Sequence, residues 1–372
     1  MSESIAVLAH YDQVPAIDIA GRYWRSIMHH GAKSYVENVD LSIKALSIAG
    51  KIIPLVINQG KGQFSDVCST YAHYFMYTIE EFRKRHSRVM WPALSMPVFP
   101  LSILLRCASI DRVVFINNWL FTTNPSPSLS CAQIHAATNL LIQEYPDFAI
   151  VMRSVNSLLD QSLLKSLMEN GYRLVRSRRV YVLDCTSQHY LRHHNTQIDL
   201  KLLKNSPYCV IDCHKALEKQ IVRMADLYRG LYLSKHSRLN PQFTSDFFRL
   251  TLKENIFAYR ALEKDGRIDG FATYFVQDDR INSAVAGYER GLSQRVGLYR
   301  MLVAIVVSEA ARRNLKLNLS GGAGHFKSLR GAVPVEEYDA VYDRHLPRHR
   351  RLAWATLMMA GRLAERERPP AV

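Results

Sequence analysis

Apolar and polar positions alternate in short blocks along most of the 372 residues, and the blocks change period repeatedly. Residues 35–58 read as two strands, YVENVDLSIKAL and KIIPLVI, joined by a turn at Ala49-Gly50-Lys51. Pro54 inside the second run predicts a sheet edge or a bulge, because proline donates nothing to a ladder. Residues 66–85 are aromatic-rich and end in a helix-like YTIEEFRKR; residues 89–105 are apolar but broken by three prolines. Buried strands follow at 112–120 and 147–152, with a helix at 133–143 between them. A second helix at 162–170 closes at Gly171, and 179–183 is another strand. The second half opens near Cys185 with a His-rich polar stretch. Amphipathic helices are expected at 215–232 and 244–254, then strands at 256–262, 268–276 and 281–288 linked by tight turns. A long helix at 298–313, a short strand at 315–320, a Gly-rich loop with a helical start near Phe326, a strand at 337–342 and a helical tail at 351–367 complete the chain.

Strands alternating with helices predict an α/β (α+β) protein with a mixed sheet. The length suits two domains, divided at 1–185 and 186–372. Each half holds a hairpin, a strand, a helix and a closing strand, as in a weak duplication. No apolar run approaches the ~20 residues that span a bilayer. The start, MSESIAVLAHYDQVPAID, carries no basic region ahead of an apolar stretch and does not read as a secretory signal. Six cysteines are scattered singly, which suits a reducing cytoplasm. Net charge alters the picture more. At +15, with Arg173, Arg176, Arg178 and Arg179 in one cluster and Arg344, Arg348, Arg350 and Arg351 in another, the chain should attract anions: nucleic acid, an anionic membrane face or a phosphorylated cofactor.

The order helix, helix, three antiparallel strands, Gly-containing loop, helix, strand resembles the GNAT acyltransferase plan, and Gln294-Arg295-Val296-Gly297-Leu298-Tyr299 stands where that family carries its Q/R-x-x-G-x-G/A loop. Backbone N–H groups at a helix start face a pyrophosphate there, and a glycine lets it approach. Tyr299 departs from the Gly or Ala expected. Arg295 and Arg300 oppose the helix dipole unless an anion is bound. The segment 319–354, with Phe326-Lys327 after a Gly-rich strand end, is similar to the end of acyltransferase domains related to the Fem aminoacyl transferases and cellulose-biosynthesis-type acetyltransferases. The resemblance covers roughly the last 170 residues, and the first half resembles a degenerate second copy, giving two tandem GNAT-like domains, each a mostly antiparallel mixed sheet flanked by helices.

The resemblance implies transfer of an acyl group, from acyl-CoA with acetyl-CoA foremost, to the amine of a small, amino-acid-derived metabolite. Two other readings stand beside it: an aminoacyl-tRNA-dependent, Fem-like transferase, and a non-catalytic binding protein of the same fold. It implies a carboxylate base at Glu289 beside Tyr288, and a tyrosine, Tyr338 or Tyr342, protonating the leaving thiolate. Lys235, His236 and Arg238 fall in the acceptor region, and Arg153 follows a buried strand, where polar groups line crevices. Cys68 with His73, Cys209 with Cys213 and His214, and His345 with His349 give no four-ligand set, so no metal is expected. No Ser-His-Asp order stands out, and G-x-S-x-G is absent.

Overall fold

The computed structural model describes residues 5–62, 65–85 and 98–366. The chain forms two compact units, one of Met1–Ser177, Leu239–Pro241 and Glu337–Val372, the other of Arg178–Arg238 and Gln242–Glu336. This departs from a plain division after Cys185. The closing strand and the tail helix, expected in the second domain, belong with the first.

In the first unit the strands run β1 (Ile5–Leu8), β2 (Ser42–Ile48), β3 (Lys51–Gln59), β4 (Arg112–Ile116) and β5 (Ala149–Asn156), followed in spatial order by residues 337–342 of β12 (Val333–Tyr342). All neighbours are antiparallel except β4 and β5, which run parallel over four residue pairs. The core consists of Leu46, Leu55, Val114, Ile150 and their neighbours, packed against helices α4 (Cys131–Glu144) and α5 (Gln161–Glu169). Pro54 is a correction to expectation, because β3 lies between two partners rather than at an edge. The Pro54 carbonyl accepts Asn117 N–H at 2.8 Å, one residue beyond the last β3–β4 pair at Leu55 and Ile116. The missing donor therefore falls where that ladder ends. β4 stops at Ile116, short of the expected 120, because Asn117 turns left-handed (φ 56°). Helix α1 (Ile19–His30), not anticipated, is capped by Asp18, which accepts Gly21 N–H at 2.6 Å, and buries Tyr23, Trp24 and Ile27. Helices α2 (Tyr77–Arg85) and α3 (Val98–Cys107) precede and follow residues 86–97, part of the proline-broken stretch, which lie outside the described residues.

In the second unit the order is residues 178–184 of β6 (Arg173–Asp184), then β11 (Lys316–Asn318), β10 (Arg280–Tyr288), β9 (Arg267–Gln277), β8 (Ala258–Lys264) and β7 (Cys209–Asp212). Again one pair, β10 with β11, is parallel and the rest antiparallel. Asp265 (φ 52°) and Gly266 (φ 73°) make the tight β8–β9 turn read from the sequence. Helices α7 (Glu218–Tyr228) and α8 (Ser245–Lys253, capped by Thr244) match the two amphipathic segments. α9 (Leu298–Arg313) is buried along most of its length against Leu183, Leu262, Ile281 and Leu317. The His-rich stretch holds an unanticipated helix, α6 (His194–Asn205), against α9. Each unit is thus a mostly antiparallel mixed sheet in the three-strand, helix, parallel-strand order of a GNAT-like domain.

Candidate active site

The second unit's one parallel pair is short. β10 and β11 match at Arg280 with Lys316, Ile281 with Leu317 and Asn282 with Asn318, and there the register ends. β10 runs on to Tyr288, whereas β11 stops. A bulge between Ser283 and Ala286 bends β10 where the two part. The Thr273 hydroxyl on β9 fills it, accepting Val285 N–H at 2.8 Å and donating to Val285 O at 2.9 Å. From Ser283 onward, the edge of β10 that faced β11 has no strand neighbour among the described residues. Gly287 lets α7 press on this strand: a Cβ there would sit 2.8 Å from Leu227 C and Tyr228 N.

Behind the splayed strand comes the loop singled out in the sequence. Gln294 to Val296 make one turn, Gly297 takes a left-handed conformation (φ 75°), and α9 starts with no side-chain cap. Gln294 and Arg295 are exposed at its mouth. Leu298 is buried in the core. Tyr299 lies between Tyr288 (ring centroids 6.0 Å apart) and Phe326 (4.8 Å), and burial pushes its hydroxyl above the ordinary tyrosine range. Arg300 corrects the expectation of a bound anion. Its Nε lies 2.6 Å from Asp199 Oδ1, while Arg330 Nε lies 2.6 Å from Asp199 Oδ2, so a carboxylate of α6 already balances both cations. Gly297 likewise meets α6: a Cβ there would sit 2.6 Å from Leu202 Cδ2. The parallel strand pair of the first unit leads into α4 instead, whose start is closed by a capping box between Ser130 and Gln133.

Glu289 does not suit a general base. Arg223 Nη2 at 2.8 Å, Arg267 Nη2 at 2.9 Å and Gly291 N–H at 2.9 Å all hold its carboxylate. Those contacts, Arg223 foremost, lower it to about 2, the opposite of the lift toward neutrality that a base needs. Lys327 is buried, and its ammonium donates to the carbonyls of Leu319 (2.7 Å), Ser320 (3.0 Å) and Gly321 (2.7 Å). Burial and the neighbouring Arg178 charge push it down to about 7, while the three acceptors use all its protons. It therefore shapes the loop after β11 and does not reach for substrate. Phe326 lies under the Arg330 guanidinium, 3.3 Å from the ring centroid. Lys235 and His236 end a π-helical turn, Arg229–His236, that continues α7; both they and Arg238 are exposed.

Three expected site residues sit in the first unit. Arg153 is buried, donating to Val67 O at 2.8 Å with its Nε 4.0 Å from Asp339 Oδ1, so it anchors a loop instead of reaching a ligand. Tyr342 packs on Tyr172 (5.4 Å) and His345 (5.8 Å) beside the core. Tyr338 is half-buried opposite Val155 on β5. Neither tyrosine stands on the unit that carries the splayed strands. The sequence reading missed Thr273 and Asp199; a threonine in mid-strand and an aspartate in a polar, His-rich stretch carry no signal of their own.

No protein-family model matches the sequence, and no curated protein matches it. Solved structures do align with it. The C-terminal domain (DUF2156) of a protein named as a lysylphosphatidylglycerol synthetase in Agrobacterium fabrum is 11% identical, with a TM-score of 0.49 over 67% of this chain and 82% of that one. L-PGS from Bacillus licheniformis is 10% identical, with a TM-score of 0.47 over 66% and 82%. A tandem GNAT protein from the clavulanic acid biosynthesis pathway is 8% identical, with a TM-score of 0.41, and spans 91% of this chain and 98% of its own. Among the described residues no helix is long and apolar enough to cross a membrane.

Proposed function

We propose that the second unit transfers an acyl group from a coenzyme A thioester, acetyl-CoA foremost, to the amine of a small molecule. The observation that carries this reading is the parting of β10 from β11 after Asn282 and Asn318, directly ahead of an uncapped helix start at Gly297. A strand edge left without a partner offers N–H groups to a thioester carbonyl, and fixed donors aimed at a developing oxyanion are a strong source of rate. The first N–H groups of α9, with Gln294 and Arg295 at the mouth, suit the pyrophosphate. Acceptor binding falls to the exposed Lys235, His236 and Arg238, which suit a carboxylate or phosphate on an amino-acid-derived amine. Tyr288, at the end of the splayed strand, is the side chain we assign to protonating the departing thiolate. Positioning supplies much of the remaining acceleration.

Thermal unfolding with saturating acetyl-CoA, other acyl-CoAs and free coenzyme A tests the donor. At ~100 times the dissociation constant a ligand adds about 2.7 kcal/mol, a shift of several degrees at most for a chain this size. No shift with any of them rejects the coenzyme A reading.

A second donor, aminoacyl-tRNA, is favoured by two observations. The net charge is +15, and Asp199 already neutralises Arg300 beside the helix start, which removes one cation from a pyrophosphate site. The chemistry at the splayed strand would be unchanged, since an aminoacyl ester is also an activated carbonyl.

A further inference from the structure

Ser177 lies far along the chain from His73 and Asp66, and the three belong to no motif, yet they meet in the first unit. His73 Nε2 lies 2.8 Å from Ser177 Oγ, and His73 Nδ1 lies 3.8 Å from Asp66 Oδ2. We propose that Ser177 is a nucleophile, His73 its general base and Asp66 the carboxylate that orients the ring, together accepting acyl groups from activated esters or thioesters. This is separate from the acyl transfer assigned to the second unit.

The first distance is the reach a base needs to draw a proton from a hydroxyl. The second exceeds a hydrogen bond, and such contacts are often loose before substrate binds. Other contacts fix both partners. Asp66 N–H donates to Leu239 O at 2.9 Å, and the Ser65 hydroxyl lies 3.4 Å from Oδ1, leaving Oδ2 turned to the imidazole. His73 belongs to a π-helical turn, Ala72–Met76, a rare irregularity concentrated at functional sites. The Tyr74 ring meets the imidazole edge-on (4.8 Å, 89°), and the Tyr74 hydroxyl donates to Asp339 Oδ2 at 2.9 Å. The side chains of His73 and Asp66 are only 13% and 8% exposed, while Ser177 is half-buried and so open in part to solvent. A carboxylate thus faces the far ring nitrogen, which gives the order of nucleophile, base and orienting group.

In the first step Ser177 Oγ attacks the carbonyl carbon. A C–O bond forms, the C–S or C–O bond to the leaving group breaks, and the Ser177 proton passes through His73 Nε2 to the departing thiolate or alkoxide. Water then attacks the acyl-serine. His73 takes one of its protons and returns it to Ser177 as the carboxylic acid leaves.

The full chain treated with p-nitrophenyl acetate should give a burst of p-nitrophenol, with the acetyl group mapped to Ser177 by peptide mass spectrometry. Ser177→Ala should abolish the adduct, and Ser177→Cys should carry it as a thioester. His73→Gln should slow its formation at least ~100-fold, and Asp66→Asn should slow it less. Melting temperatures near that of the parent establish that the variants are folded; should His73→Gln unfold, the two Ser177 variants decide. An adduct elsewhere, an unchanged burst in Ser177→Ala, or no burst in the folded parent overturns the proposal.

Discussion

Glu289 and Tyr288 are neighbours with different fates. Glu289 lies just beyond the end of its strand between two guanidinium groups, and its lowered pKa makes it a stabilising charge. A group whose folded pKa lies below its ordinary 4.5 contributes stability above that value and loses it as pH falls toward about 2. Glu289→Gln should therefore cost stability at pH 7, roughly 1 kcal/mol once solvent screening of the pair is allowed for. The difference in melting temperature between variant and parent should shrink between pH 4.5 and 2. An undiminished difference at pH 2.5 would mean the ion pair is not its source. Turnover per folded molecule should survive this change, which a catalytic base would not permit. Tyr288→Phe is the complementary test. It should lower kcat by ~10²-fold or more with little change in melting temperature, as loss of a general acid does; an unchanged kcat would remove Tyr288 from the thiolate step.

Asp199 shows how one helix is tied to another. Its carboxylate, 3% exposed, binds Arg300 of α9 and Arg330, whose own side chain is 7% exposed. Asp199→Ala would leave Arg330 charged, buried and without its carboxylate, a loss of about 3–5 kcal/mol, because breaking a buried pair costs more than the pair contributes. The urea midpoint should fall accordingly; a loss under ~1 kcal/mol would mean that water replaces the carboxylate. The clasp also marks where sequence reading stops. Periodic patterns revealed β2, α7 and α8, and continuous apolar stretches revealed β3 and α9, which are buried along most of their length, while Gly171 and Gly297 marked real left-handed positions. α6 went unread because its sequence, HNTQIDLKLLKN, opens on polar residues and buries only Thr196 and Asp199 fully. Pro54 misled because a missing donor reveals nothing about how far the neighbouring strand extends. Residues 294–300 were singled out through the family resemblance, and what the structure adds is a left-handed Gly297 ahead of α9, whereas Asp199 meets Arg300 only through tertiary contact.

For the whole molecule, pairing between distant segments decides what belongs together. Residues 337–342 join the first unit because they pair with β5, nearly two hundred positions earlier, and His73 reaches Ser177 across 104 positions. No local pattern encodes either, so a boundary drawn by counting elements put the closing strand in the wrong half. Charge, by contrast, is fully legible in composition and discriminates between the two donors. With net charge +15, the chain should retain tRNA at low ionic strength whatever its reaction. If binding rests on neutralising six or more phosphates, affinity should fall about 10³-fold or more between 50 and 200 mM salt. Coenzyme A presents only a few phosphates, so acetyl-CoA binding should weaken far less over the same range. Measuring both ligands at both salt concentrations separates a general attraction from a donor site. Acetyl-CoA binding that survives 200 mM salt while tRNA is lost supports the thioester donor. Salt-resistant binding of aminoacyl-tRNA, tighter than that of the uncharged tRNA, would instead place the aminoacyl ester at the splayed end of β10.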